Sequence, residues 1–178
     1  MYIWIGCKLP EDFEQQLRRH CLQLNKTIGL ETTAFSLPQH ISLKISFQTE
    51  AAPEVLAHLA AFLAEQKPFP VCIAPVEQAG NILWLPVEEN TQLQWLHRQL
   101  DQRLEQYFQI PQHTFDKAFL FHSTLLMDEN HQKLVEMKQL LSSFPLHREL
   151  QVDTFLLGVS DSGKPGTYRV VREIQVVC

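Results

Sequence analysis

Two histidines 82 residues apart stand in the same short pattern. In Gln39-His40-Ile41-Ser42-Leu43-Lys44-Ile45 and in Phe121-His122-Ser123-Thr124-Leu125-Leu126-Met127, a histidine is followed by any residue, a hydroxyl and a leucine. On an extended strand, side chains two residues apart share a face at about 6.7 Å, so each imidazole has a hydroxyl beside it while Leu43 and Leu125 turn into a core. Imidazole titrates near neutral pH, and one member of a pair can take a proton while the other gives one. Ser42 and Thr124 can donate hydrogen bonds to the non-bridging oxygens of a phosphate held between them. Such a set suits hydrolysis of a cyclic or bridging phosphodiester. Water is deprotonated on one side, the leaving oxygen is protonated on the other, and no metal is required. Lys44 has the same strand parity as His40 and Ser42, and it either adds positive charge to the site or reaches solvent at the strand's end.

Rival readings of these residues are weaker. A chain with eight histidines is expected to show one accidental His-x-Ser/Thr, but demanding leucine next at both positions makes coincidence rare. A lone strand histidine is by default a satisfied core residue. Zinc on His40 and His122 would need a third and usually a fourth ligand, and His20, His58, His97, His113, His131 and His147 show no ligand spacing on a shared strand or helix. No metal and no cofactor is therefore expected. His58, His97 and His131 fall in helical stretches and are expected at the surface or its boundary. Glu88-Glu89 and Asp128-Glu129 sit where helix starts favour negative charge, and no nucleophile-elbow sequence supports a serine hydrolase.

The elements that must carry the motifs follow from periodicity. Tyr2 to Cys7 alternates as a strand, and Pro10-Glu11-Asp12 opens a helix with Phe13, Leu17, Cys21 and Leu24 on one face, stopped by Gly29. His40 to Phe47 is the first motif strand. Thr49 to Gln66 reads as helix, Phe69 to Val76 as a strand that Pro70 and Pro75 consign to an edge, and Ile82 to Val87 as its partner, with Pro86 again suggesting an edge. A helix with Leu93, Leu96, Leu100, Leu104 and Tyr107 at helical spacing leads toward the second motif strand, which runs to Met127. Asp128-Glu129-Asn130 starts a further helix, and Leu150 to Val159 and Thr167 to Val177 are closing strands around a polar loop. Strands and helices thus alternate twice. The expected fold is α+β, with two similar lobes of roughly 1–87 and 88–178 in one domain, their terminal strands open to exchange.

Composition narrows the partners. A formal net charge of −5 disfavours a binder of long nucleic acid, which needs a basic surface, and favours recognition of one terminal or cyclic phosphate. Cys7, Cys21, Cys72 and Cys178 are scattered without a C-x-x-C, suiting reduced thiols in a cytoplasm. The N-terminal stretch lacks the basic start of a signal peptide, and no run approaches the length of a membrane helix, so a cytoplasmic protein without membrane contact is expected. A monomer is the expected state, although no residue pattern addresses it.

With one motif per half on strands of two pseudo-symmetric lobes, the chain resembles the two-histidine phosphoesterase superfamily, which includes the 2'-5' RNA ligase-like proteins. The resemblance covers nearly the whole chain in element order and is specific at the motifs. It implies antiparallel-rich sheets backed by helices around a central groove, with His40 and His122 as the catalytic pair and Ser42 and Thr124 binding the phosphate. It further implies metal-independent attack on a 2',3'-cyclic or 2'-5' phosphodiester of an RNA end or small nucleotide, with a base stacked on an aromatic such as Tyr168 or Phe35. Ser42 stands where threonine is commoner, and Leu126-Met127 stands where many RNA-end members carry an arginine. The alternative of another class is a module that binds phosphorylated nucleotides or RNA without turnover.

Overall fold

The computed structural model describes residues 1–177. Ten strands and four helices alternate along it, and the strands divide between a terminal and a middle group. The terminal sheet has β1 (Tyr2–Lys8) at its centre. On one side β1 pairs with β9 (Thr154–Ser160) and, beyond it, β10 (Arg169–Gln175); on the other it pairs with β2 (His40–Ser42) and the short β3 (Phe47–Gln48). All these pairings are antiparallel. The middle group holds the sheet β5 (Glu77–Ala79), β6 (Ile82–Pro86) and β7 (His122–Met127) and the ribbon of β4 (Phe69–Ile73) with β8 (Arg148–Val152). A bridge from Ile73 to Val87 joins ribbon to sheet.

Local chemistry sets the helix bounds. Pro10, at φ −53°, leads into α1 (Glu11–Ile28), and Gly29 closes it in the left-handed conformation at φ 70°, which only glycine adopts without cost. The Asn90 side chain accepts from the backbone N–H groups of Gln92 and Leu93 to cap α3 (Thr91–Phe108), and Asn130 accepts from Lys133 to cap α4 (His131–Leu141). Helix α2 (Ala52–Ala64) packs on β9 and β10, while α4 packs on β5 and β6 and against α1. One continuous apolar core runs between these layers, from Ile3, Ile5 and Phe13 through Leu59 to Leu125 and Leu134. The fold is α+β with antiparallel sheets backed by helices. No helix among the described residues is long and apolar enough to cross a membrane.

Three readings of single elements change. The run Leu150 to Val159 is two strands, broken at Asp153, because its halves pair with different partners: β8 with β4 and β9 with β1. The first motif strand ends at Ser42, where the Leu43 N–H makes a last bond to the Ile5 carbonyl, and Lys44 to Ser46 leave the ladder before β3. Strand β6 is central, between β5 and β7. Pro86 is tolerated there because the N–H that bonds the β7 side belongs to the next residue, Val87 donating to the Phe121 carbonyl, while the Pro86 carbonyl accepts from Ala74 N.

Candidate active site

Strands β2 and β7 meet where the two sheets approach, which brings the two motifs together. Leu43 and Leu125 are fully buried as strand alternation requires, each contributing roughly 2 kcal/mol of apolar burial. Their burial turns the histidines the other way. His40 and His122 both line one cavity of about 280 Å³, together with Ser42, Trp4, Leu37, Lys44, Ile45, Ser46, Phe119 and Tyr168.

The two imidazoles are held alike. His40 Nδ1 lies 2.7 Å from the Pro38 carbonyl oxygen, and His122 Nδ1 lies 2.7 Å from that of Leu120, in each case two residues upstream. A carbonyl only accepts, so each Nδ1 carries the proton and Nε2 is left with its lone pair. Each ring also leans on a tryptophan, Trp4 against His40 and Trp84 against His122, both with ring centroids 4.4 Å apart. Trp4 needs room for this. It faces Gly158 across the β1–β9 ladder, where a Cβ would collide with the indole nitrogen, and a Cβ at Gly6 would stand 2.8 Å from the indole and 3.1 Å from His40 Cδ2. The glycines are a bed for the indole, and the indole is a wall for His40.

Both histidines are held below the ordinary imidazole value. For His40 burial is the main cause, opposed by the bond to Pro38 and reinforced by the charge of His122; for His122 burial lowers and the bond to Leu120 raises. The mutual effect means that protonating one makes protonating the other harder. Such a pair favours one proton over two.

Ser42 lines the cavity, directly across β1–β2 from Gly6. Thr124 is partly buried on the His122 side of β7, opposite Trp84, and is not among the cavity-lining residues. Of the two aromatics considered for stacking, Tyr168 lines the cavity, whereas Phe35 packs on the core beneath the Arg18 guanidinium, 5.3 Å away. Phe119 and Trp4 also line it. Sequence reasoning missed Phe119 because it lies in the irregular connector before β7, where no periodicity assigns a face.

Lys44 and His97 depart furthest from expectation. Lys44 neither reaches solvent nor offers a free charge, since it is 3 % exposed and its Nζ donates to Asp101 and, at 2.5 Å, to Asp116. His97, read as a surface or boundary residue, is buried, its ring nitrogens 2.7 Å from the Leu43 carbonyl oxygen and 2.9 Å from that of Asp116. Asp116 also accepts from the backbone N–H groups of Ile45 and His113. The cluster joins α3 to the segment 43–46 and to the capped 3-10 turn Thr114–Ala118 with its flanks, both of which contribute to the cavity wall. A buried charge must be paired, and pairing here builds the wall.

The fold has counterparts among known proteins. The family model described as "2'-5' RNA ligase superfamily" matches residues 11–164. Among solved structures, TT0787 of Thermus thermophilus superposes with a TM-score of 0.69 at 19% identity, covering 98% of this chain and 97% of the other. LigT of E. coli, complexed with ATP, gives a TM-score of 0.62 at 16% identity over 99% and 98% of the two chains. Usb1 of Kluyveromyces marxianus gives 0.58 at 13% identity over 98% and 97%. These likenesses show the fold. No curated relative matches the chain by sequence.

Proposed function

The chain belongs to the 2'-5' RNA ligase superfamily of two-histidine phosphoesterases, and from that premise we propose that it is a metal-independent phosphodiesterase acting on a 2',3'-cyclic or 2'-5' linkage at an RNA end or in a small nucleotide. The observation that carries this reading is the pair His40 and His122 on one cavity, each with Nδ1 committed to a carbonyl and Nε2 free for proton transfer.

In this mechanism the neutral imidazole of one histidine takes a proton from water through Nε2 as the water oxygen bonds to phosphorus. The bond from phosphorus to the 2' or 3' oxygen breaks, and the protonated imidazole of the other histidine gives its Nε2 proton to that oxygen. A phosphomonoester leaves, and proton exchange with solvent resets the pair. Ser42, on the cavity wall, donates to the non-bridging oxygens, whose charge grows in the transition state, and Thr124, beside His122 on β7 but outside that wall, is proposed as the second donor. Tyr168 or Phe119 gives a base a face to stack on. The complexes of LigT with ATP and with 3'-AMP support a nucleotide ligand here. The cavity's size and the chain's net charge of −5 both favour a terminal nucleotide over a long strand. The thiols of Cys7, Cys21 and Cys72 are free, which suits a reducing cytoplasm, and the protein is proposed to act there as a monomer.

The test is hydrolysis of 2',3'-cyclic nucleotides and 2'-5' dinucleotides in the presence of EDTA. Turnover by wild type and at least a hundredfold loss in His40→Ala and in His122→Ala is expected, in line with the usual worth of a general acid or base. Tight nucleotide binding without turnover by wild type would replace the enzyme with a binding module.

A further inference from the structure

Three donors converge away from the histidine cavity. Cys72 lies on β4, Glu88 just beyond β6 and His147 just before β8. Their ligand atoms all lie within 4.8 Å of one another. His147 Nε2 is 2.9 Å from Glu88 Oε1 and 3.6 Å from Cys72 Sγ. A tetrahedral zinc ion with Zn–S about 2.3 Å and Zn–N about 2.0 Å has an S···N edge of about 3.5 Å. Sulfur and nitrogen therefore already stand at ligand separation.

Ordered backbone carries two of the three. Cys72 is in the β4–β8 ladder opposite Glu149, and the Glu88 N–H donates to the Cys72 carbonyl at 2.9 Å. Glu149, across the ladder on the same face, adds a second carboxylate beside the sulfur. Glu88 and His147 are exposed and Cys72 is half-buried, so an ion has access. None of the three lines the cavity of His40 and His122.

We infer that Cys72, Glu88 and His147 form a binding site for one divalent transition-metal ion of the zinc class, with the fourth position open to water. Thiolate and imidazole select such an ion over magnesium or calcium, which want an all-oxygen shell. On binding, the Cys72 thiol proton passes to solvent and the hydrogen bond between His147 and Glu88 gives way to two metal bonds. The ion clips the start of β8 to β4 and to the end of β6, so it stabilises the middle group of strands and takes no part in phosphoester chemistry. The ligands are separated by 16 and 59 residues, which is why no metal motif is visible in the sequence.

The experiment uses the full-length protein, stripped of metal and titrated with Co²⁺ as an optical stand-in, followed by competition with Zn²⁺. Expected are saturation at one ion per chain, the visible bands of tetrahedral cobalt and a sulfur-to-cobalt charge-transfer band that Zn²⁺ abolishes. Cys72→Ser removes the charge-transfer band, and His147→Ala and Glu88→Gln each weaken binding at least tenfold, with circular dichroism verifying that each variant is folded. Zn²⁺ raises Tm in wild type and not in Cys72→Ser. Absence of saturable binding overturns the site. So does a charge-transfer band that persists in Cys72→Ser, since its sulfur then comes from another cysteine.

Discussion

Ser123 Oγ donates to Gln39 Oε1 at 3.0 Å, with both residues buried, and so ties the residue before one motif histidine to the residue after the other. The bond crosses from β7 in the middle sheet to the segment entering β2 in the terminal sheet. It therefore acts directly on the spacing of the two imidazoles. Ser123→Ala leaves the Gln39 carbonyl without that donor in a buried site, at a cost of about 1–3 kcal/mol. The expected outcome is a lower urea midpoint, with kcat reduced at least tenfold and KM changed less, because the pair is misplaced while the substrate pocket persists. Equilibrium unfolding and steady-state kinetics on the same preparation check it.

Gly158→Ala is expected to damage His40 from β9, two strands away across β1. The new methyl would collide with the Trp4 indole, whose ring centroid lies 4.4 Å from that of the His40 imidazole. Overpacking of this kind costs about 1–3 kcal/mol, and pairing the change with Trp4→Phe should restore part of the stability. Tryptophan fluorescence reports the displaced indole, and recovery of stability without recovery of kcat would mark the indole as the element that orients His40.

Lys44→Met tests the buried charge cluster. It leaves Asp101 and Asp116 facing each other's charge without the ammonium, and breaking one side of a buried ion pair costs about 3–5 kcal/mol. Asp116 also holds Ile45 and His113, so loosening it frees both segments that wall the cavity. A raised KM is expected alongside the lost stability. Lys44→Arg, which keeps the charge but exceeds the space, is expected to fall between wild type and Lys44→Met.

The pH dependence follows from the lowered histidines. Burial, chiefly, holds both below the ordinary value of 6.5, so the singly protonated pair is most populated on the acid side of 6.5. kcat/KM is therefore expected to peak below pH 6.5 and to fall on the alkaline side as the acid loses its proton. A bound phosphodiester anion favours imidazolium, so the alkaline limb of kcat lies higher than that of kcat/KM. For stability the sign is set by the unfolded chain, whose ordinary imidazoles bind more protons than the folded ones. Their contribution is complete above 6.5 and is lost as pH falls through 6.5 toward the folded values. Urea midpoints from about pH 5 to about pH 8 should show this slope, and His40→Gln combined with His122→Gln should flatten it.

Much of the scaffold was legible in order along the chain. Pro10, Gly29, Asn90 and Asn130 bound helices by chemistry that acts over four residues or fewer. The repeated His-x-Ser/Thr-Leu pattern identified both motif strands, because alternation ties a buried leucine to an oppositely directed histidine. Pairing was less legible. The break at Asp153 and the central place of β6 depend on which strand lies alongside, and nothing in the periodicity of one segment records its neighbour.

By itself, then, the order of residues determined which side chains could do proton transfer and on what kind of element each would sit. The tertiary structure alone decided that His40 and His122 share a cavity, that Lys44 is neutralised by Asp101 and Asp116, that Gly158 beds Trp4, and that Cys72, Glu88 and His147 meet. The division has one physical cause. Hydrogen-bonded turns, caps and strand alternation act between residues close in the chain, whereas a charge or a ring responds to whatever packing brings within a few ångströms, from any distance along it.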